Sequence, residues 1–180
     1  NNLEQAVIFA EQKDFNEAAE LAELAESNFN ISINKIEKIK NNFIIGHLPI
    51  VISQLNDVES LLVSVHFLSK AVYGGANFAA SLETVLSGNE QFNFSQISTL
   101  EKRELLQKIF ESAPELNGIK ADLDLAYINL EQVNTSGILF FLNNKISQAK
   151  EQINKAILIL DKAVPLSQMI PALAGYPNEV

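Results

Sequence analysis

An all-α chain, folded as an elongated antiparallel helical bundle of about four long helices with short capping helices, is what three observations on these 180 residues predict. Apolar residues recur at alternating spacings of three and four over long stretches, which keeps them on one helix face. Helix start and stop signals punctuate those stretches. Strand-like alternation and hairpin turn signals are missing throughout. Long amphipathic helices are stable only when partners cover their stripes, and modest connections favour antiparallel neighbours.

In chain order, Leu3 to Gln12 forms a short helix with Leu3, Ala6, Val7 and Ala10 on one face. Lys13-Asp14-Phe15 breaks it, and Asp14 with Glu17 three residues on predicts a capping box for the next helix. That helix runs from Phe15 to about Asn42, on the stripe Phe15, Ala18, Ala22, Ala25, Phe29, Ser32, Ile36, Ile39 and Phe43. Glu17, Glu20, Glu23 and Glu26 occupy its early turns and Lys35, Lys38 and Lys40 its late ones, the order that complements the helix dipole. The short helix, Asp-Phe turn and Ala-rich helix resemble one tetratricopeptide unit, but no second copy follows, which leaves a plain helical hairpin.

Asn41 to Pro49 is a connection with Gly46 as a stop signal and Pro49 near the first position of the longest helix, Val51 to Leu86. Its stripe is Val51, Leu55, Val58, Leu62, Val65, Ser69, Val72, Ala76, Ala79, Glu83 and Leu86, in phase straight through Gly74-Gly75. A continuous helix of that span would be roughly 54 Å long. Ser87-Gly88-Asn89 ends it, and Glu90 to Ile97 is a loop whose Phe92 and Phe94 should tuck onto the bundle end. Ser98 and Glu101 form a capping box that opens a short helix ending near Glu111. Ser112-Ala113-Pro114-Glu115 repeats the start signal for a helix through Val133, with the unbroken stripe Leu116, Ile119, Leu123, Ala126, Leu130 and Val133. After a turn at Asn134 to Gly137, the last long helix runs from about Ile138 to Ala163, with Leu139, Leu142, Ile146, Ala149, Ile153, Ala156, Leu160 and Ala163 in order. Pro165 and Pro171 should stop it and leave 164–180 as a linker toward a following domain. Ala at 18, 22, 25, 76, 79, 149 and 156 would let helices approach closely.

Composition narrows the function classes. An apolar share of 47% and a charged share of 19% are those of a folded chain that fills one domain, 1–180. The net charge of −9 and pI near 4.7 leave no basic face for nucleic acid. There is no Cys, hence no thiol nucleophile, thiolate metal site or disulfide framework. No apolar run reaches the roughly 18 residues a membrane span needs. The chain starts on helical sequence and ends on Asn178-Glu179-Val180 without a closing element, which reads as a fragment of a longer protein.

The chain offers no catalytic constellation and implies no metal and no cofactor. The two histidines are His47 in a connection and His66 at the margin of the longest stripe. Ferritin-like sites need Glu-x-x-His, and the positions three before these histidines are Ile44 and Val63. Asp122 and Asp124 point roughly 200° apart on a helix and cannot share a proton, and Asp57 and Glu59 fail in the same way. The Glu17 to Glu26 row is a solvated acidic face whose members drift around the helix. The Asn-x-Ser patterns at Asn30, Asn93 and Asn134 carry little information. One weak candidate remains: Tyr73, Gly74, Gly75, Asn77 and Phe78 place two glycines and two aromatics in mid-helix, as a ligand-binding notch or as a close helix crossing, the reading we favour.

The C-terminal segment Ile170-Pro171-Ala172-Leu173-Ala174-Gly175-Tyr176-Pro177 resembles the Pro-Ala-Leu-x-Gly segment of bacterial envelope proteins carrying domain of unknown function 4012. The preceding order is similar too: a short helix, an Asp-Phe break, an Ala-rich helix, then a Pro-started long helix. The resemblance implies an N-terminal transmembrane helix ahead of this region and the domain of unknown function after it, outside the membrane. The family's Asn-rich and Arg-Pro-Thr-Gly-Gly segment would begin past Val180, so no functional residue carries over. Abundant Asn, Ile and Lys fit an AT-rich bacterial genome. The expectation is therefore a non-enzymatic extracytoplasmic spacer or protein-interaction module of a membrane-anchored protein. The alternative is a sensor bundle that binds a small ligand between helices. The partner would be another protein or a second copy of the chain, pairing along Ala19, Leu24, Ile31 and Ile33, with membrane contact only through a segment outside 1–180.

Overall fold

A computed structural model of the chain describes residues 2–42, 48–86 and 98–173. The expectations for the 43–47 connection with Gly46 and His47, for the loop holding Phe92 and Phe94, and for the tail beyond 173 lie outside the described residues. The protein is all-α, with no strand among the described residues. Its helices are α1 (Asn2–Glu11), α2 (Phe15–Lys40), α3 (Pro49–Leu86), α4 (Thr99–Glu111), α5 (Ala113–Gln132) and α6 (Asn143–Leu173), with a 3₁₀ turn at Phe140–Leu142.

Local chemistry sets the boundaries. At the end of α1 the Asp14 N–H donates to the Phe9 carbonyl and the Lys13 N–H to that of Ala10. These two bonds make a Schellman closure, with Lys13 at φ 64° in the left-handed position usually given to Gly. Asp14 does occupy the N-cap of α2, but its side chain makes no capping bond, so the expected box with Glu17 does not form. The box at α4 does: the Ser98 hydroxyl accepts from the Glu101 N–H, and the Glu101 carboxylate accepts from the Ser98 N–H at 2.7 Å. Ser112 ends α4 and starts α5 at once; its hydroxyl donates back to the Ile109 carbonyl instead of capping forward.

α3 is continuous through Gly74-Gly75, 38 residues or roughly 57 Å at the α-helical rise. It is covered on two sides, and from residue 57 to 82 only Tyr73 is classed as exposed. On the α2 side, Ala76 packs with Ala18 and Ala19, the His66 ring meets the Glu26 backbone, and Lys40 pairs with Glu59. On the α5 side, Leu61, Leu68, Ala71 and Phe78 join the main core, and the buried Ser64 hydroxyl donates to the Ala126 carbonyl at 2.8 Å. Leu116, Ile119, Leu123, Ala126, Leu130 and Val133, the stripe predicted for α5, are all buried. Numbers rise along one helix as they fall along its neighbour, as in Lys70–Asp122 with Asp57–Asn134, and Lys120–Asp161 with Glu131–Lys150. Close packing follows the row α2, α3, α5, α6, with α1 laid on α2 and α4 bracing α6 and α3.

The last helix corrects one expectation. Pro165 and Pro171 do not end it at Ala163; α6 continues to Leu173, so 164–173 is helix. An interior Pro removes a hydrogen bond and costs about 3 kcal/mol. Burial offsets that cost here: Val164 packs on the main core, and Ser167 is buried with its hydroxyl donating to the Val164 carbonyl. At its other end α6 begins at Asn143, later than expected, because Leu139 and Leu142 enter the core through the tighter 3₁₀ turn.

Candidate functional site

The mid-helix candidate residues do not converge on one site. Gly74 lies against α5, where a Cβ would fall 2.9 Å from Ile119 Cγ1; it marks a close helix crossing. Gly75 has nothing within 4 Å of its Cβ position and borders a concavity lined by Val7, Ala10, Phe15 and Ala76. Phe78 packs on the main core, Tyr73 points outward, and Asn77 is half-buried. Tyr73 and Gly74 do share a polar hollow with Glu26, Lys70, Glu115 and Asp122. In it the Lys70 ammonium sits 3.2 Å from the Asp122 carboxylate and 5.5 Å from the Phe67 ring centre, so the cation is held from two sides.

His66 is half-buried, with Nδ1 3.5 Å from the Glu26 carbonyl oxygen and its ring edge-on to Phe67. A carbonyl only accepts, so a hydrogen bond here requires the proton on Nδ1, and the residue serves the α2–α3 seam. Among the described residues no group of three His, Asp or Glu could hold a metal ion. Glu17, Glu20 and Glu23 face solvent. The flanking α2 residues also diverge: Ala19 is buried against Ala76, whereas Leu24 and Ile31 are exposed.

The chemistry the structure does assemble is apolar. A groove of about 420 Å³ opens between α1 and α3 on one side and α6 on the other, over a floor supplied by α5. Leu68, Ala71 and Val72 come from α3, Ile119 and Leu123 from α5, and Ala149, Ile153, Ala156 and Leu160 from α6, with Val7 and Ile159 at the rim. Among the described residues Gln152 is the one polar side chain in this lining, and none of them brings a charged group into it. Ile159 is 67% exposed although it is a large aliphatic side chain. The groove exists because α3 and α6 both pack on α5 without close backbone contact with each other, and because Ala71, Ala149 and Ala156 are too short to fill the gap. Sequence reading placed every one of these α5 and α6 residues except Gln152 and Ile159 on an apolar stripe; which stripes would be left partly open depended on the helix order.

Comparison with known protein families, characterised proteins and solved structures finds no match to this chain.

Proposed function

We propose that the chain is a non-enzymatic helical module that takes an uncharged, apolar ligand between its helices, in the groove over α5. The observation that carries this reading is the lining: eleven apolar side chains and Gln152 around about 420 Å³. That volume falls within the roughly 300–1,000 Å³ of small-molecule pockets, which are mostly apolar with a few placed polar groups. A charged ligand would find no counter-charge among the described lining residues, while Gln152 can hydrogen-bond a hydroxyl or carbonyl at the groove edge.

In the wider setting, the four long helices and their short braces act as an elongated antiparallel bundle in the extracytoplasmic part of a membrane-anchored bacterial protein. The resemblance of the C-terminal segment and the helix order support that setting, and an apolar run of about 20 residues upstream, flanked by Lys or Arg, would establish the anchor. The second reading, a spacer or protein-interaction segment, is favoured by the opposed, stripe-on-stripe packing of α2, α3, α5 and α6.

Thermal unfolding in the presence of a graded series of primary alkanols separates the two. A ligand that binds only the folded state raises the melting temperature in proportion to the logarithm of its concentration above Kd. We expect a rise that keeps growing with the logarithm of alkanol concentration and, at a given concentration, increases with chain length until the groove is full. Ala156→Leu, which puts a side chain into the groove, should abolish the rise while leaving the circular dichroism spectrum unchanged. A flat response in the wild type would leave the spacer.

A further inference from the structure

The end of the molecule where α3 begins and α6 begins carries a second feature, independent of the groove. Leu139 and Leu142 are held in the core, and the 3₁₀ turn between them drives Phe140 and Phe141 outward, 71% and 67% exposed. Ile138 beside them is 49% exposed and Ile50, at the start of α3, 77%. The turn and the start of α3 adjoin: the Asn134 N–H donates to Asp57, and Ile50, Gln54, Ser136 and Gly137 line one shallow hollow.

Charge is distributed unevenly about this end. Residues 35–42, 48–64 and 128–153 hold Lys35, Lys38, Lys40, Lys145 and Lys150 against Glu37, Asp57, Glu59, Glu131 and Glu151, a net charge of zero, whereas the whole chain carries −9. Three of the five carboxylates are ion-paired, Glu59 with Lys40, Glu131 with Lys150 and Glu151 with Lys155, and Asp57 is engaged by the Asn134 N–H. The body is acidic and its aromatic end is not.

The geometry points to this end as a membrane-contact tip: Phe140, Phe141, Ile138 and Ile50 insert into the interfacial region of a lipid bilayer, with the long helices standing away from it. A stable protein partner would need about 20–30 residues on each side, far more than the six exposed apolar side chains that the described residues place at the turn and the start of α3, Leu48 and Val51 included. A bilayer asks for depth instead of breadth, and a few apolar side chains on an end without net negative charge meet that need. Repulsion between the acidic body and anionic headgroups favours end-on contact over side-on contact.

The chain contains no Trp, so one introduced indole reports its own surroundings. Phe141→Trp should show a blue-shifted emission and quenching by brominated lipid when mixed with phosphatidylcholine vesicles containing a minor share of phosphatidylglycerol. Leu24→Trp, on exposed α2 surface, should show neither. In vesicle flotation, Phe140→Ser/Phe141→Ser should partition more weakly than wild type, by roughly tenfold or more for each ring removed. Both positions are exposed, and an unchanged melting curve confirms the fold. No partition of the wild type, equal quenching of both Trp variants, or unchanged flotation of the double Ser variant would each overturn the proposal.

Discussion

The Gly74-Gly75 pair gives an internal comparison in which one substitution, Gly→Ala, is made at adjacent positions of the same helix. At Gly75 a Cβ meets nothing within 4 Å, so only helix propensity changes. Ala is about 1 kcal/mol better than Gly in a helix interior, and Gly75→Ala should stabilise by about that amount. At Gly74 the same gain is opposed by a contact of 2.9 Å to Ile119 Cγ1 and 3.5 Å to its Cδ1. Ile119 is 9% exposed within the main core, so its escape routes are limited. Overpacking of this kind costs typically 1–3 kcal/mol, which puts Gly74→Ala between neutral and about 2 kcal/mol destabilising. The two variants should thus differ by about 1–3 kcal/mol, read as urea midpoints at equal slope. At roughly 2–4 °C per kcal/mol for a chain of this size, the melting temperatures should separate visibly. A double-mutant cycle sharpens the test: with Ile119→Ala in place the added Cβ finds room, and a favourable coupling of about 0.5–3 kcal/mol should appear. If Gly74→Ala stabilises as much as Gly75→Ala, α3 and α5 do not cross closely at this point.

Two further outcomes follow from the helix ends. Lys13, at φ 64°, holds the left-handed position that closes α1; Lys13→Gly should stabilise by roughly 0.5–1 kcal/mol in thermal or urea unfolding, whereas Lys13→Val should destabilise. The Ser98 hydroxyl, and then the Ser98 N–H, hold the Glu101 carboxyl below the usual glutamate range. A depressed folded-state pKa means its stabilising effect is present above the unfolded value, about 4.3, and is lost as pH falls through the folded value. Carboxyl carbon shifts followed by NMR should give Glu101 a midpoint below the unfolded glutamate value, and Ser98→Ala, which removes the hydroxyl and leaves the backbone donor, should raise it.

What the residue pattern revealed differs between helices for a physical reason. The core face of α5 was legible because it is packed between α3 and α6, and every residue of its apolar stripe from Leu116 to Val133 is buried. α3 was half legible. Its predicted stripe includes Ala76 on the α2 side, but a second line at Leu61, Ser64, Leu68, Ala71 and Phe78 packs on α5, and Ser64 concealed it. A serine reads as polar in sequence; only the carbonyl of Ala126 across the interface makes it a core residue. Ser69, the odd member of the first stripe, is fully buried too, with its hydroxyl returned to the Val65 carbonyl. Pro165 misled for the opposite reason: its local cost is real, and burial of Val164 and Ser167 outweighs it.

The groove was not legible, and the alanines show why. Ala on a stripe says only that a side chain is short. At Ala18 and Ala76 the α2 and α3 backbones come together and the short side chains become a seam. At Ala71, Ala149 and Ala156 the flanking helices both settle on α5, and the same shortness becomes empty volume. The difference is set by what Ile119 and Leu123 hold apart, a property of three helices at once that no single stripe carries. Substituting Ala149 or Ala156 by a larger apolar residue should therefore be tolerated, since the space is already there, whereas Ala18→Leu or Ala22→Leu, each at 0% exposure, should destabilise by about 1–3 kcal/mol. Residues alike in sequence would then sort into seam and groove by their urea midpoints alone; equal costs at all four positions would mean that the gap over α5 is filled in solution.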